Sequence, residues 1–202
     1  MKIISGRLKN RLIPSLKNAT YRPSTGKFKE SVFSILKSME DDIFDGKSVL
    51  DLFAGTGSLA FESLSRGAAH ITLVDIEPEH IRVCKEFVEK IGEVDNATFL
   101  RLDATNLPLS RVQYDIVFMD PPYEKALCSR TLKSLDEKGW LKEGSILALE
   151  LGRKEDLVLP ARYQMISQRV VGAAKLVILS YNEIAKNIIA LDLEIQIPSK
   201  EK

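Results

Sequence analysis

Short apolar runs alternate with longer amphipathic stretches through the middle of the chain, from residue 48 to residue 151. Short apolar runs predict buried strands, and apolar residues at three- and four-residue spacing predict helices. Regular alternation of the two predicts a mostly parallel sheet that helices cover on both faces. The predicted strands are 48–53, 70–75, 98–103, 114–120 and 145–151, and the predicted helices are 58–66, 78–91 and 125–138.

The two ends of the chain follow other patterns. Strand-like runs at 163–171 and 175–181 are separated by a short glycine-alanine turn, which predicts a closing antiparallel hairpin and a seven-stranded sheet of the α/β class. Residues 2–7 and 11–14 predict a short basic β-hairpin, and apolar spacing predicts a helix over 27–39. The expected organisation is therefore an N-terminal segment 1–38, a core 39–182 and a C-terminal extension 183–202 of unknown role.

Composition excludes several classes of protein. The 202 residues are 45% hydrophobic and 28% charged, which suits one folded core and argues against a disordered chain. No apolar run reaches the roughly 18–20 residues of a membrane-spanning helix, and the first residues do not resemble a secretory signal. Two cysteines, Cys84 and Cys128, build neither a disulfide framework nor a zinc site alone. We therefore expect a cytoplasmic protein with no membrane partner.

Positive charge is concentrated at the start of the chain. Residues 1–38 contain nine Lys and Arg against one acid, for a net charge of +8, and the rest of the chain carries −7. A basic segment on an acidic body indicates contact with a polyanion. The alternative is a lysine-rich arm that is merely solvated.

A glycine-rich turn follows the first strand of the core. The stretch Asp51-Leu-Phe-Ala-Gly-Thr-Gly57 contains Gly55 and Gly57, which allow the backbone to turn tightly beside a ligand. Asp75 ends the second strand, where a carboxylate can accept from ribose hydroxyls, and Asp103 ends the third, where it can accept from an adenine amine. The alternative is that Asp75 and Asp103 only cap the helices that follow.

The ligand of this turn is a nicotinamide dinucleotide or S-adenosylmethionine. Asp51 favours the second, because a carboxylate there would repel a pyrophosphate and would pair with the ammonium group of a methionine moiety. The predicted cofactor contacts are Asp51, Phe53, Ala54, Gly55, Thr56, Gly57, Asp75, Ile76, Asp103 and Ala104.

The sequence Asp120-Pro121-Pro122-Tyr123 ends the fourth strand. Two prolines remove two backbone donors and stiffen the loop, which leaves the Asp120 carboxylate and the Pro121 carbonyl as fixed acceptors. Together they can accept both hydrogens of an exocyclic amine and turn its lone pair toward an electrophile, while Tyr123 offers a face for a flipped base. The alternative is a rigid turn with a buried tyrosine.

These motifs carry a family resemblance. Asp120–Tyr123 resembles motif IV of amino-directed methyltransferases, and the glycine-rich stretch resembles their motif I. Over residues 1–182 the chain resembles the RsmD family of bacterial 16S rRNA (guanine-N2) methyltransferases, although Gly26-Lys27 replaces the family's Asp-Arg and the family's Asn near Phe87 is missing. The N-terminal stretches that favour this family are Ile4-Ser5-Gly6-Arg7, Arg22-Pro23-Ser24-Thr25 and Lys29-Glu30-Ser31-Val32-Phe33, with Leu64–Ala68 fitting as well.

The resemblance implies a Rossmann-like class I methyltransferase fold and transfer of a methyl group from S-adenosylmethionine to N2 of a guanine in 16S rRNA. No metal is required, since the sulfonium is itself an electrophile. Asp120, Pro121, Pro122 and Tyr123 would hold the target base. The expected partner is 16S rRNA, within the small ribosomal subunit or its assembly intermediate, and the enzyme is expected to be a monomer. The implied RNA contacts are Arg7, Lys9, Arg11, Arg22, Lys27 and Lys29.

Two other functions stay open at this point. The same chemistry could act on another amine in nucleic acid or protein, although the basic N-terminus argues against a protein substrate. A ribosome-assembly factor that binds RNA without catalysis is the other alternative, and the intact acids and glycines of the site argue against it.

Overall fold

The computed structural model describes residues 1–15, 26–122 and 127–182. Seven strands and four α-helices follow one another in these ranges, and the predicted elements of the core are confirmed with small shifts at their ends. In chain order they are α1 (Gly26–Met39), β1 (Ser48–Leu52), α2 (Ser58–Ser65), β2 (His70–Asp75), α3 (Pro78–Ile91), β3 (Ala97–Arg101), β4 (Tyr114–Met119), α4 (Leu127–Glu137), β5 (Leu141–Gly152), β6 (Tyr163–Val171) and β7 (Ala174–Tyr181).

The strands form one sheet in the order β3-β2-β1-β4-β5-β7-β6. The first five are parallel, and β7 runs antiparallel between β5 and β6. The mostly parallel sheet with a final antiparallel hairpin is therefore confirmed. Strand order reverses beside β1, so the carboxyl ends of β1 and β4 border the crevice where open α/β sheets bind ligands.

Helices cover the sheet unequally. The first three helices pack on one face, where Phe118 of β4 contacts Phe33 of α1 with ring centroids 5.8 Å apart. The fourth helix covers the other face through Leu132 and Leu135. Because α1 leads into the amino end of β1 through a short connection, it runs antiparallel to that strand and its first turn lies at the carboxyl edge of the sheet.

The predicted N-terminal β-hairpin is not confirmed as a pair of strands, although the N–H groups of Ile3 and Ile13 donate across it to the carbonyls of Arg11 and Met1. Only one antiparallel bridge, between Lys2 and Leu12, forms there. The backbone N–H groups of Ile4 and Ser5 donate instead to the carboxylate of Glu62 in α2, at 2.8 and 3.0 Å. Contacts with α2 thus take up the N–H groups that follow Ile3, so the paired part of the segment stays short.

The N-terminal residues pack into the same hydrophobic cluster as the sheet. Ile3, Leu8 and Ile13 are all less than 8% exposed and belong to the cluster that contains Phe33 and Phe118. The boundary at residue 38 stays a prediction, and the extension 183–202 lies outside the described residues. No helix in the described ranges has both the length and the apolar character needed to cross a membrane.

Candidate active site

The turn between β1 and α2 has an unusual backbone. Phe53, Gly55 and Gly57 have φ values of 63°, 53° and 73°, all in the left-handed region. A phenylalanine rarely adopts this conformation, and such strain occurs often at functional sites. The N–H of Ala54 donates to the carbonyl of Val74 at 3.0 Å, which holds the turn against the end of β2. The turn therefore presents its backbone at the carboxyl edge, as the glycine pattern predicts.

Asp75 connects this turn to the end of β2. Its Oδ2 accepts from the N–H of Gly55 at 2.8 Å, and its Oδ1 accepts from the N–H of Glu77 at 2.9 Å. Nδ1 of His80 lies 3.0 Å from the same Oδ2. Asp75 thus accepts a hydrogen bond from Glu77 just before α3, as the capping alternative expects. It also holds the glycine turn through its hydrogen bond with Gly55. Each carboxylate oxygen has two lone pairs, so these bonds are compatible with further donors from a ligand.

Asp51 is buried under the turn, with 2% of its surface exposed. Its carboxylate accepts from the N–H of Ala60 at 3.1 Å. Burial raises the pKa of Asp51 to about 8, against the lowering effect of this hydrogen bond and with an added contribution from the charge of Asp75. No cation pairs with Asp51 within the described ranges. Such a carboxyl suits a ligand that supplies its own positive charge.

The ends of β2 and β3 provide the rest of the predicted cofactor contacts. Ile76 follows Asp75 and is 57% exposed, which leaves an apolar side chain at the edge of the sheet. Asp103 is exposed and caps a short 3₁₀ turn, since its Oδ1 accepts from the N–H and the hydroxyl of Thr105, each at 2.8 Å. Ala104 is buried inside that turn. An apolar side chain between two strand-end acids is an arrangement that suits a nucleoside.

Asp120 lies directly after β4, on the neighbouring strand to the glycine turn. Leu52 pairs with Met119, so Asp120 continues the row that begins at the end of β1. Asp120 is 9% exposed, Pro121 is buried and Pro122 is exposed. Tyr123 lies outside the described residues, so its contact with a base stays a prediction.

Lys29 corrects the predicted set of RNA contacts. Its side chain is fully buried, and Nζ lies 2.9 Å from Oε2 of Glu62. Burial lowers the pKa of Lys29, and the partner Glu62 opposes part of that effect. The prediction that Lys29 binds RNA is therefore wrong, because an amine inside the core cannot reach a phosphate. Apolar spacing along the helix did not reveal this, since the sequence around a lysine is the same whether its amine is paired in the core or solvated.

The other predicted RNA contacts divide between the two edges of the sheet. Arg7 pairs with Glu93 after α3, and its backbone N–H donates to the carbonyl of Ser65 at the end of α2. Both partners lie at the amino edge, opposite the glycine turn. Lys27 is exposed on the first turn of α1, at the carboxyl edge. Lys9 and Arg11 are exposed in the N-terminal segment, and Arg22 lies outside the described residues.

Two side chains at the site were not predicted from the sequence. His80 lies beside Asp75, five residues earlier, because the first turn of α3 follows the strand end directly. Glu150 of β5 is 5% exposed. Leu149 pairs with Met119, so Glu150 lies beside Asp120 when the register continues by one residue. A single acid in the apolar run of β5 was the only sequence feature that could have indicated it.

Comparison with known proteins identifies the family. The family model described as Conserved hypothetical protein 95 matches residues 1–180. The chain belongs to this family. Its relatives include the ribosomal RNA small subunit methyltransferase D of Buchnera aphidicola, 31% identical over 83% of this chain and 86% of the relative, and that of Escherichia coli, 29% identical over 85% of each. An uncharacterized methylase of Rickettsia prowazekii is 34% identical over 90% of this chain and 98% of its own length. The predicted membership of the RsmD family is confirmed.

Solved structures give the same fold. An Escherichia coli protein described as a candidate methyltransferase superposes with a TM-score of 0.79 at 25% identity, covering 91% of this chain and 99% of that one. An RNA methyltransferase of Salinibacter ruber, solved with S-adenosyl-L-homocysteine, superposes with a TM-score of 0.58 at 14% identity, covering 86% and 97%. The predicted methyltransferase fold is therefore confirmed.

Proposed function

We propose that this chain transfers a methyl group from S-adenosylmethionine to the exocyclic N2 of a guanine in 16S rRNA, in the cytoplasm, on the small ribosomal subunit or an assembly intermediate. The observation that carries the proposal is the position of Asp120-Pro121-Pro122, at the end of β4 and one strand away from the glycine turn. Relatives named for methylation of small-subunit ribosomal RNA support the class of substrate.

The residues around the glycine turn fit the cofactor. Asp51 would face the ammonium group of its methionine moiety, Asp75 the ribose hydroxyls, and Ile76 and Asp103 the adenine ring and its amine. The backbone of Phe53, Ala54, Gly55, Thr56 and Gly57, with Ala104, would form the wall of the site. When bound, the cofactor supplies an electrophilic methyl carbon on a positively charged sulfur.

The residues after β4 would position the target amine. The carboxylate of Asp120 and the carbonyl of Pro121 each accept one hydrogen of the NH2 group, which holds nitrogen in line with the methyl carbon. Prolines at positions 121 and 122 have no N–H to compete for these acceptors. Alignment of this kind contributes several kcal/mol to a transfer reaction, up to roughly 7–11 kcal/mol. Tyr123 would stack on the flipped base, and the amine proton would leave during or after transfer.

Tritium transfer from labelled S-adenosylmethionine tests the function. Undermethylated 30S particles, 16S rRNA, DNA and bulk protein are offered in parallel, and nucleoside analysis of the product gives the methylated atom. We expect label in N2-methylguanosine of the 16S rRNA or the 30S particle. Label only in DNA or protein, at another atom of the rRNA, or in no substrate would overturn the proposal.

Variants at the end of β4 test the mechanism. Asp120→Ala and Tyr123→Ala should each lower turnover by about 100-fold, because misplacement of a reacting group costs that much, while cofactor affinity stays close to wild type. Asp95→Ala, which removes an exposed acid at the opposite edge of the sheet, serves as the control and should keep wild-type turnover. A rate within about threefold of wild type for Asp120→Ala would contradict the assigned role.

A further inference from the structure

A groove of about 500 Å³ lies between the first turns of α1 and the end of β6. We infer that this groove holds the RNA backbone next to the target nucleotide, with Arg169 and Lys27 as its phosphate contacts. The inference rests on the proposed function and adds a surface to it. Arg169 belongs to a segment that the charge pattern of the sequence did not single out, far from the basic N-terminus.

The register of the sheet connects Arg169 to the target-base site. Arg169 of β6 pairs with Leu176 of β7, and Leu176 pairs with Glu150 of β5. Glu150 in turn lies beside Asp120, one residue beyond the pair Met119 and Leu149. The four residues form one row across the carboxyl edge of the sheet. At about 4.8 Å per strand, Arg169 is roughly 14 Å from Asp120, a distance that a few nucleotides of single-stranded RNA cover.

Arg169 also lies on the correct face of the sheet. Paired residues of antiparallel strands point to the same face, and Leu176 packs in the cluster that contains α1. Phe118 of β4 packs in the same cluster, and Asp120 follows the end of that strand directly. The groove therefore lies on the α1 face of the sheet and at the same edge as the target-base site, so one strand of RNA can contact both.

The side chains of the groove suit phosphates. Arg169 and Lys27 are exposed, and within the described part of the chain Arg169 forms no ion pair, whereas Arg7, Arg66, Arg82 and Arg162 each have a carboxylate partner. Ser31 and Ser34 line the same wall, although the Ser31 hydroxyl donates to the carbonyl of Lys27 at 2.8 Å, and Glu30 is the one acid among the lining residues. Two cations against one acid around a groove favour a polyanion, because guanidinium and ammonium groups bind phosphate oxygens with charge-assisted hydrogen bonds.

The test is binding of 16S rRNA or undermethylated 30S particles to the double variant Lys27→Ala/Arg169→Ala across a salt series. Each lost phosphate contact lowers the slope of log K against log salt by roughly 0.7–0.9, so the double variant should lose roughly 1.4–1.8 and bind more than tenfold more weakly at 0.1 M salt. Methyl transfer should show a raised KM for RNA, with kcat and cofactor affinity unchanged.

Three further variants make the result specific. Lys133→Ala/Lys138→Ala removes two cations from α4 and the turn after it, on the opposite face, and should leave RNA binding and its slope close to wild type. Arg169→Lys keeps the charge and should keep most of the slope. Glu30→Gln removes the acid from the groove and should strengthen RNA binding, which no loss of folding could imitate.

The outcomes separate this inference from the proposed function. If wild type methylates the rRNA and the double variant binds with wild-type slope and affinity, the groove is not part of the RNA path and the proposed function stands. A loss that the α4 control shares equally would also overturn the inference, since it would reflect net charge alone. A wild-type protein that neither binds nor methylates rRNA overturns both.

Discussion

Substitution of Asp51 by Asn tests the electrostatics of the site directly. Asp51 is almost completely buried, and its carboxylate accepts one hydrogen bond from the N–H of Ala60. Asparagine has nearly the same shape and keeps an acceptor oxygen for that bond, so the variant removes a titratable carboxyl and little else. Any change that depends on pH can therefore be assigned to the proton of Asp51.

The expected magnitude follows from the pKa of Asp51. Its ordinary pKa is 3.8, which we take for the unfolded chain, and burial raises the folded value to about 8. Between these values the folded state binds the proton and the unfolded state does not. The free energy of unfolding is therefore undiminished by Asp51 below pH 4 and falls as pH rises toward 8. Each pH unit costs up to about 1.4 kcal/mol. Between pH 5 and pH 7.5, wild type should lose roughly 3 kcal/mol relative to Asp51→Asn.

Urea unfolding of both proteins at several pH values between 5 and 8 measures this difference. The comparison cancels other groups that titrate in this range, including His70, whose pKa is lowered by burial. Asp95→Asn, at an exposed site, is the matched control, and its free energy of unfolding should change with pH as that of wild type does. Cofactor titration on Asp51→Asn should show weaker binding even though the protein is more stable near neutral pH, because asparagine cannot lose a proton to form the anion that pairs with the ammonium group. If the free energies of unfolding of Asp51→Asn and wild type change with pH in the same way, the reasoning is refuted. That result would mean that Asp51 is ionised in the folded protein over the whole range from pH 5 to pH 8.

Three further substitutions have expected results. Asp75→Ala should lower the free energy of unfolding by about 1–3 kcal/mol, because the N–H groups of Gly55 and Glu77 lose their acceptor, and calorimetry should show weaker S-adenosylmethionine binding in the same protein. Glu62→Ala should cost about 3–5 kcal/mol in urea unfolding, since it leaves Lys29 buried without its partner; a loss below 1 kcal/mol would contradict this. Gly6→Ala should cost more than about 1 kcal/mol and expose the N-terminus to proteases, because φ is +80° and the new Cβ would lie 1.8 Å from the Ser65 carbonyl oxygen.

The sheet and its carboxyl edge were predictable from the sequence because they depend on local patterns. Apolar runs set the strands to within a few residues, and the ends of parallel strands meet at one edge whatever their side chains are. The positions of Asp75 and Asp103 therefore followed from counting residues. Their hydrogen bonds did not, since the contact between Asp75 and Gly55 depends on how the turn folds back over β2.

The N-terminal segment was less predictable because its contacts are distant in sequence. Lys29 and Glu62 pair inside the core, and nothing within a few residues of either one indicates the other. The N–H groups of Ile3 and Ile13 still donate across the predicted hairpin, whereas those of Ile4 and Ser5 donate to Glu62 of α2, a partner that the local pattern does not indicate. Arg169 was overlooked for a similar reason, since only the strand register brings it into line with Asp120.

The carboxylate of Glu62 also bears on how the chain is made. It accepts from N–H groups 57 and 58 residues earlier in the chain, and Glu93 meets Arg7 across 86 residues. Since a ribosome releases the N-terminus first, the opening residues of a nascent chain have no docking site until α2 has emerged, and Arg7 has no partner until the end of α3 has followed. Closing loops of this length is slow compared with forming a helix. Residues 4–7 are therefore synthesised well before their partners and are among the last of the first half to be fixed, and a chain that stalls before residue 62 leaves them undocked.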